Sequence, residues 1–200
     1  KNAIHQVGDY GWATESRHVD IDHTLTGYYT KHDLQAYEVK YEDYDLNTAT
    51  VSLTEIKNTD TLTDGNGTEF QDRGYVAKGN GIVLRESNIT GGNDTYNVPF
   101  FVPAITTTQP AKISTENMMR PNLVRKTYDA ETEDGYTRFL LTNIHWTYNS
   151  THDLSKDEAG GVQEADAAGF YRHHIWSTTS DAAFKNTMAA NTAYMLVPTG

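Results

Sequence analysis

The 200-residue chain contains no cysteine. That single absence removes disulfide frameworks, thiolate zinc sites, iron–sulfur clusters and a cysteine nucleophile. Basic residues are scarce: 16 Lys and Arg stand against 27 Asp and Glu, a formal net charge of -11. Nucleic-acid phosphates are held by Lys and Arg clusters, and none occurs here, so nucleic acid is excluded as a partner. An acidic surface also disfavours anionic lipid. No apolar run approaches the ~20 residues that cross a bilayer as a helix. No charged-then-apolar leader opens the chain, and Lys1-Asn2-Ala3-Ile4-His5 reads as an already trimmed start. Catalytic signatures are missing as well. There is no Gly-x-Ser-x-Gly elbow and no His-Glu-x-x-His helix. Gly79-Asn80-Gly81 lies between strand candidates, with no helix N-terminus to meet a phosphate.

What is present is β pattern. Residues 75–77, 82–85 and 96–101 are short runs rich in β-branched and aromatic residues, separated by Gly/Asn turns. They read as consecutive antiparallel strands, with Pro99 at an edge or a bulge. Residues 34–41 alternate, placing Tyr37, Val39 and Tyr41 on one face. A polar turn at Asp45-Leu46-Asn47-Thr48 joins them to residues 50–56, where Val51 and Leu53 point the same way, so a hairpin is expected. Residues 136–146 are apolar on both faces at Phe139, Leu140 and Leu141, which predicts a central strand. Residues 169–176 and 193–198 are further strands. A single helical turn is expected at 115–119, stopped by Pro121, and a short helix capped by Asp181 at 181–188. Residues 58–72, 103–121 and 149–168 read as long surface loops. Ten or more short strands in one domain over residues 1–200 predict an all-β fold, an antiparallel β-sandwich.

In order along the chain, Tyr10-Gly11-Trp12-Ala13-Thr14, Leu34-Gln35-Ala36-Tyr37, Val51-Ser52-Leu53-Thr54 and Gly79-Asn80-Gly81-Ile82-Val83-Leu84 form a recurring set of segments. Thr95-Tyr96-Asn97-Val98-Pro99, Phe139-Leu140-Leu141-Thr142, Gly169-Phe170-Tyr171 and Thr192-Ala193-Tyr194-Met195-Leu196 complete it. The set resembles a domain of unknown function found in secreted and cell-surface proteins of Bacteroidetes, often near their C-termini. The resemblance implies an extracytoplasmic β-sandwich module, secreted, periplasmic or on the outer surface, with no catalytic residues to carry over. It leaves room for this chain to be one domain of a longer surface protein.

Several constellations are candidates for chemistry. His18, Asp20 and Asp22 would share one face of a strand at steps of about 7 Å, an imidazole and two carboxylates. Polar residues opposite Val19 and Ile21 are equally what a half-exposed strand shows. Asp64, Asn66 and Thr68 place oxygen ligands at alternate positions, as calcium loops do. The sixth position, however, is Glu69 rather than Gly, and the twelfth is Tyr75, so a turn is the better reading. His173 and His174 are neighbours whose side chains would point to opposite faces, one packed beside Tyr171 or Trp176 and the other solvated. Trp12, Trp146, Trp176, Tyr148 and Tyr171 offer flat surfaces for sugar rings, although Trp146 and Trp176 sit in apolar strands and read first as core. Asp157, Glu158, Glu164 and Asp166 are carboxylates in an acidic loop, available to a glycosidase but ordinarily just solvated. No catalytic residue, metal ligand or cofactor is assigned from the sequence. The expected function is a non-catalytic surface module for adhesion, assembly or partner binding. The alternatives are a carbohydrate-binding module using exposed Tyr and Trp and, further off, a glycan-active hydrolase with dispersed carboxylates.

Overall fold

The computed structural model describes residues 2–7, 11–22, 34–57, 61–63, 65–71, 75–86, 96–101, 116–146, 162–176 and 186–199. Among them there is no α-helix. The chain runs through β1 (Asn2–Val7), β2 (Trp12–Glu15) and β3 (Ile21–Asp22), then the long β4 (Leu34–Tyr44) and β5 (Thr48–Glu55). Short strands β6 (Thr61–Thr63), β7 (Glu69–Gln71) and β8 (Tyr75–Val76) lead to β9 (Ile82–Glu86) and β10 (Tyr96–Phe101). The second half holds β11 (Met119–Asn122), β12 (Lys126–Thr127), β13 (Thr132–Glu133) and β14 (Tyr136–Trp146). It ends with β15 (Val162–Arg172), β16 (Thr187–Met188) and β17 (Thr192–Pro198). All pairings among the described residues are antiparallel.

The principal sheet has nine strands in the order β11-β17-β14-β15-β5-β4-β9-β2, with β13 paired to β14 beside this path. Its ends come back towards each other. Ser16, just past β2, donates its N–H to the Asn191 carbonyl at 3.1 Å and its hydroxyl to the Thr192 carbonyl at 2.6 Å. Ahead of β11, Asn117 accepts the Val39 N–H at 3.1 Å and donates to the Gly81 carbonyl at 2.9 Å. The sheet is therefore nearly closed and barrel-like, a device that leaves few unpaired edges.

Period-two alternation fills this interior. Val39, Val83, Met119, Phe139, Phe170, Met195 and Val197 form one buried cluster, joined by Tyr37, Tyr41, Val51 and Leu141. The wall is also covered outside in two places. Ala36, Ile82 and Leu84 face outward and pack with Val76 of a second, four-stranded sheet, order β1-β10-β3-β8. Leu140, Tyr194 and Leu196 face outward beneath Tyr128, Ile175 and Met188. Burial on both faces is why β9 and β14 read as continuous apolar runs. Gly81 is required by this closeness: a Cβ there would sit 2.9 Å from the Arg120 carbonyl carbon and 3.0 Å from Ala193 Cβ.

The β4–β5 hairpin and the central place of β14 are as expected. The three runs that read as consecutive neighbours are not paired with each other. β8 pairs β3, β9 lies between β2 and β4, and β10 pairs β1 and β3. Pro99 lies opposite Ile4 in β10, which is an inner strand of the order β1-β10-β3-β8, and the described part of β3 meets β10 at Phe101. Residues 58–72 are not simply a loop, because β6 and β7 form a hairpin there. The acidic loop read over 149–168 gives way to strand from Val162. The helical turn read at 115–119 is not found over residues 116–119, where 116–118 carry no helix and Met119 opens β11. The helix read at 181–188 overlaps strand at Thr187-Met188, and its residues 181–185 lie outside the described residues. Pro121 does not stop a helix. It sits in β11, at one end of the sheet order, opposite Ala193.

Candidate functional site

The candidate site lies where β17 changes partners. Residues Tyr136–Phe139 of β14 pair with residues 195–198 of β17, and the ladder stops at Phe139↔Met195. Two residues earlier, the Ala193 N–H goes to Thr14 Oγ1 at 3.0 Å, so β2 takes over from β14. The two strands part here, and a cleft of about 470 Å³ opens between them. Leu140, Leu141 and Thr142 form one wall, and Thr14, Thr192 and Ala193 the opposite one. His145 lies further along β14. Its presentation follows a register shift in which residues 165–168 of β15 oppose Asn143 alone. The third wall comes from Arg172, His173, His174 and Trp176, with Met188 below.

The segment from Asn122 to Glu133 buttresses this wall from behind. Asn122 donates to the Ala189 carbonyl at 2.7 Å and accepts from the Tyr128 hydroxyl at 3.2 Å. Glu131 is the hub. Its Oε1 lies 3.3 Å from His174 Nδ1 and accepts the Ile175 N–H at 3.3 Å, while Oε2 lies 3.6 Å from the Arg172 guanidinium. A carboxylate only accepts, so His174 carries a proton on Nδ1. Arg172 also donates through Nε to the Leu46 carbonyl.

Behind His173 sits a buried cationic cage. Arg138 is 2% exposed and lies 3.7 Å from the Tyr128 ring centroid, bonded to the Ala130 carbonyl at 2.8 Å and to Glu133 at 3.2 Å. Desolvation raises the pKa of both Tyr128 and Tyr194, which keeps the two phenols neutral. His173, 5% exposed, meets Tyr128 edge-to-face at 5.7 Å. Burial, helped by the Arg138 charge, lowers its pKa to about 4, so the ring is neutral at neutral pH. His145 stacks flat on Tyr171 at 3.9 Å and 7°. Among the described residues, the buried Nδ1 atoms of His145 and His173 have no hydrogen-bond partner. Trp176 is half-buried and meets the His174 ring at 4.8 Å. Its backbone is clasped in both directions by Asn186, at 2.8 and 2.9 Å.

The sequence candidates fare unequally. His18 and Val19 lie in a bend before β3, and Val19 is 43% exposed rather than sharing an inward face with buried Ile21. Asp20 accepts the Lys78 N–H at 2.8 Å, which ties down a turn. Only Ile21 and Asp22 are strand, so the one-face triad of His18, Asp20 and Asp22 does not form on an extended strand. Asn66, Thr68 and Glu69 lie in the exposed turn and start of the β6–β7 hairpin; Asp64 falls outside the described residues. No group of three or more potential metal ligands occurs among the described residues. His173 and His174 are both buried, so neither is the solvated partner expected, because the covering segment closes over the wall beyond the end of β15. Trp12 packs against the interior cluster with the Arg85 guanidinium 4.5 Å from its ring, whereas Trp176 leaves its strand and lines the cleft. The side chains of Trp146, Glu164 and Asp166, and all of Tyr148, Asp157 and Glu158, lie outside the described residues. Sequence reasoning missed Glu131, Arg138 and His145. The available signal was an arginine and a histidine inside the apolar run of β14, where charged or polar residues need a partner.

No family model matches this chain, and no curated protein or solved structure matches it. The cleft's own chemistry is therefore what a functional reading rests on.

Proposed function

We propose that this chain is a non-catalytic binding module that works outside the cytoplasm and holds its partner at the seam cleft. The observation that carries the reading is how the ionisable groups behind the cleft are used. Glu131 is engaged by Arg172, His174 and the Ile175 amide, and Arg138 by Glu133 and the Ala130 carbonyl. Such locked networks rigidify a surface, and rigidity lowers the ordering cost of recognition. The Tyr-, Thr-, Asn- and Gly-rich composition and the resemblance to bacterial surface modules support the location. The two-layer packing of the β1-β10-β3-β8 sheet on the barrel wall supports reading that half as sandwich-like. Partner binding is tested by incubating labelled wild type and Trp176→Ala with isolated bacterial envelopes, separated into protein and polysaccharide fractions. Retention of wild type and loss with the variant is expected. Equal retention of both, or release of cleavage products from either fraction, overturns the reading.

A further inference from the structure

We infer that the seam cleft is a subsite for one neutral sugar ring, a hexose or its N-acetyl derivative without an acidic group. This rests on the binding reading above and adds the chemical class of the ligand. The volume of about 470 Å³ falls within the ~300–1,000 Å³ of small-molecule pockets. The walls are amphipathic in the way a sugar is. Leu140, Leu141, Met188 and Ala193 offer apolar surface for the C–H face of a ring, and half-buried Trp176 adds an aromatic surface beside them.

The polar lining consists of groups that both donate and accept, as sugar hydroxyls do: Thr14, Thr142, Thr187 and Thr192 with the His145 and His173 rings. Thr14 and Thr192 already hold backbone groups, yet each hydroxyl oxygen keeps an accepting lone pair. Charge selects the class. Arg172 is the one permanently charged side chain among the described lining residues, and Glu131 lies 3.6 Å from it. An anion would have to compete with Glu131, and a cation would meet Arg172 with no carboxylate in the described wall. A neutral polyol meets neither penalty.

The test is titration of the purified chain with glucose, galactose, mannose and N-acetylglucosamine, and with glucuronic and sialic acids. Saturation-transfer NMR and tryptophan fluorescence follow binding at ~0.05 and ~0.5 M NaCl, where screening differs severalfold. Trp176→Ala removes the aromatic surface. His145→Phe keeps a flat ring on Tyr171 and removes both nitrogens, so it tests the polar lining with the packing retained. At least one neutral sugar is expected to bind, with less than about twofold change in Kd with salt, and with about tenfold weakening in either variant. Absence of saturation transfer from every neutral sugar overturns the inference. So does binding that both variants leave unchanged, or a preference for acidic sugars that salt abolishes. If the sugars fail while an envelope component still binds through Trp176, the ligand class falls and the binding reading stands; if both fail, both fall.

Discussion

Acidification should destabilise this protein through His173 before its carboxylates titrate. The ring is 5% exposed, and burial with the nearby Arg138 charge lowers its pKa from 6.5 to about 4. Unfolding releases it to water, where it binds a proton below about pH 6.5. Between about pH 6.5 and 4 the unfolded chain therefore holds more protons than the folded one, so stability falls as pH falls, and the loss levels off below about 4. At ~1.36 kcal/mol per pKa unit the full loss is about 3 kcal/mol, and roughly 2 kcal/mol of it is incurred by about pH 5. For a chain of this length that corresponds to about 4–8 °C in Tm. Urea melts of wild type and His173→Gln at closely spaced pH values measure it. The two stabilities should converge by about 2 kcal/mol between pH ~7.5 and ~5. NMR titration of the ring should place its pKa well below 6.5. A constant gap between the two proteins over that window, or an unshifted ring pKa, would refute burial of a neutral imidazole behind the cleft.

Further perturbations probe the closure of the barrel and the buttress. Gly81→Ala puts a methyl within 2.9 Å of the Arg120 carbonyl carbon and should cost ~1–3 kcal/mol by chemical denaturation. Gly65→Ala, which meets nothing within 4 Å, should stay within about 0.5 kcal/mol. Asp45→Ala removes the carboxylate that accepts the Asn47 and Thr48 amides at 2.7 and 2.8 Å and should cost ~1 kcal/mol, visible as a lower urea midpoint. The Thr48 amide, first among its hydrogen bonds, holds the Asp45 pKa below 3.8, so this stabilisation is present above about pH 4 and lost as pH falls through the folded pKa. Arg138→Met withdraws the cation beside His173 and should raise the ring's pKa in the same NMR titration, whatever it does to stability. An unmoved His173 signal would mean the Arg138 charge does not reach it.

The legible parts of the fold were local. The β4–β5 hairpin could be read because Tyr37, Val39 and Tyr41 alternate and Asp45 closes a tight turn within a few residues. The centrality of β14 showed in Phe139, Leu140 and Leu141, since only a strand covered on both faces is apolar on both. The β6–β7 hairpin was hidden because Thr61–Thr63 and Glu69–Gln71 are short and mostly polar, and an extended backbone can pair with little apolar content. His18, Asp20 and Asp22 look like one face only if the backbone is extended, and there it bends.

By itself, then, the sequence determined that the chain forms strands, which residues alternate along them, and that no thiol chemistry is possible. Tertiary structure alone decided that β9 pairs β2 and β4, that β17 passes from β14 to β2, and that Glu131, Arg172 and His174 meet. The physical reason is range. Alternation and turn chemistry act over a few residues, whereas strand partners are chosen by the burial of whole faces across the chain. A cleft formed where one strand exchanges partners leaves no mark in any one segment.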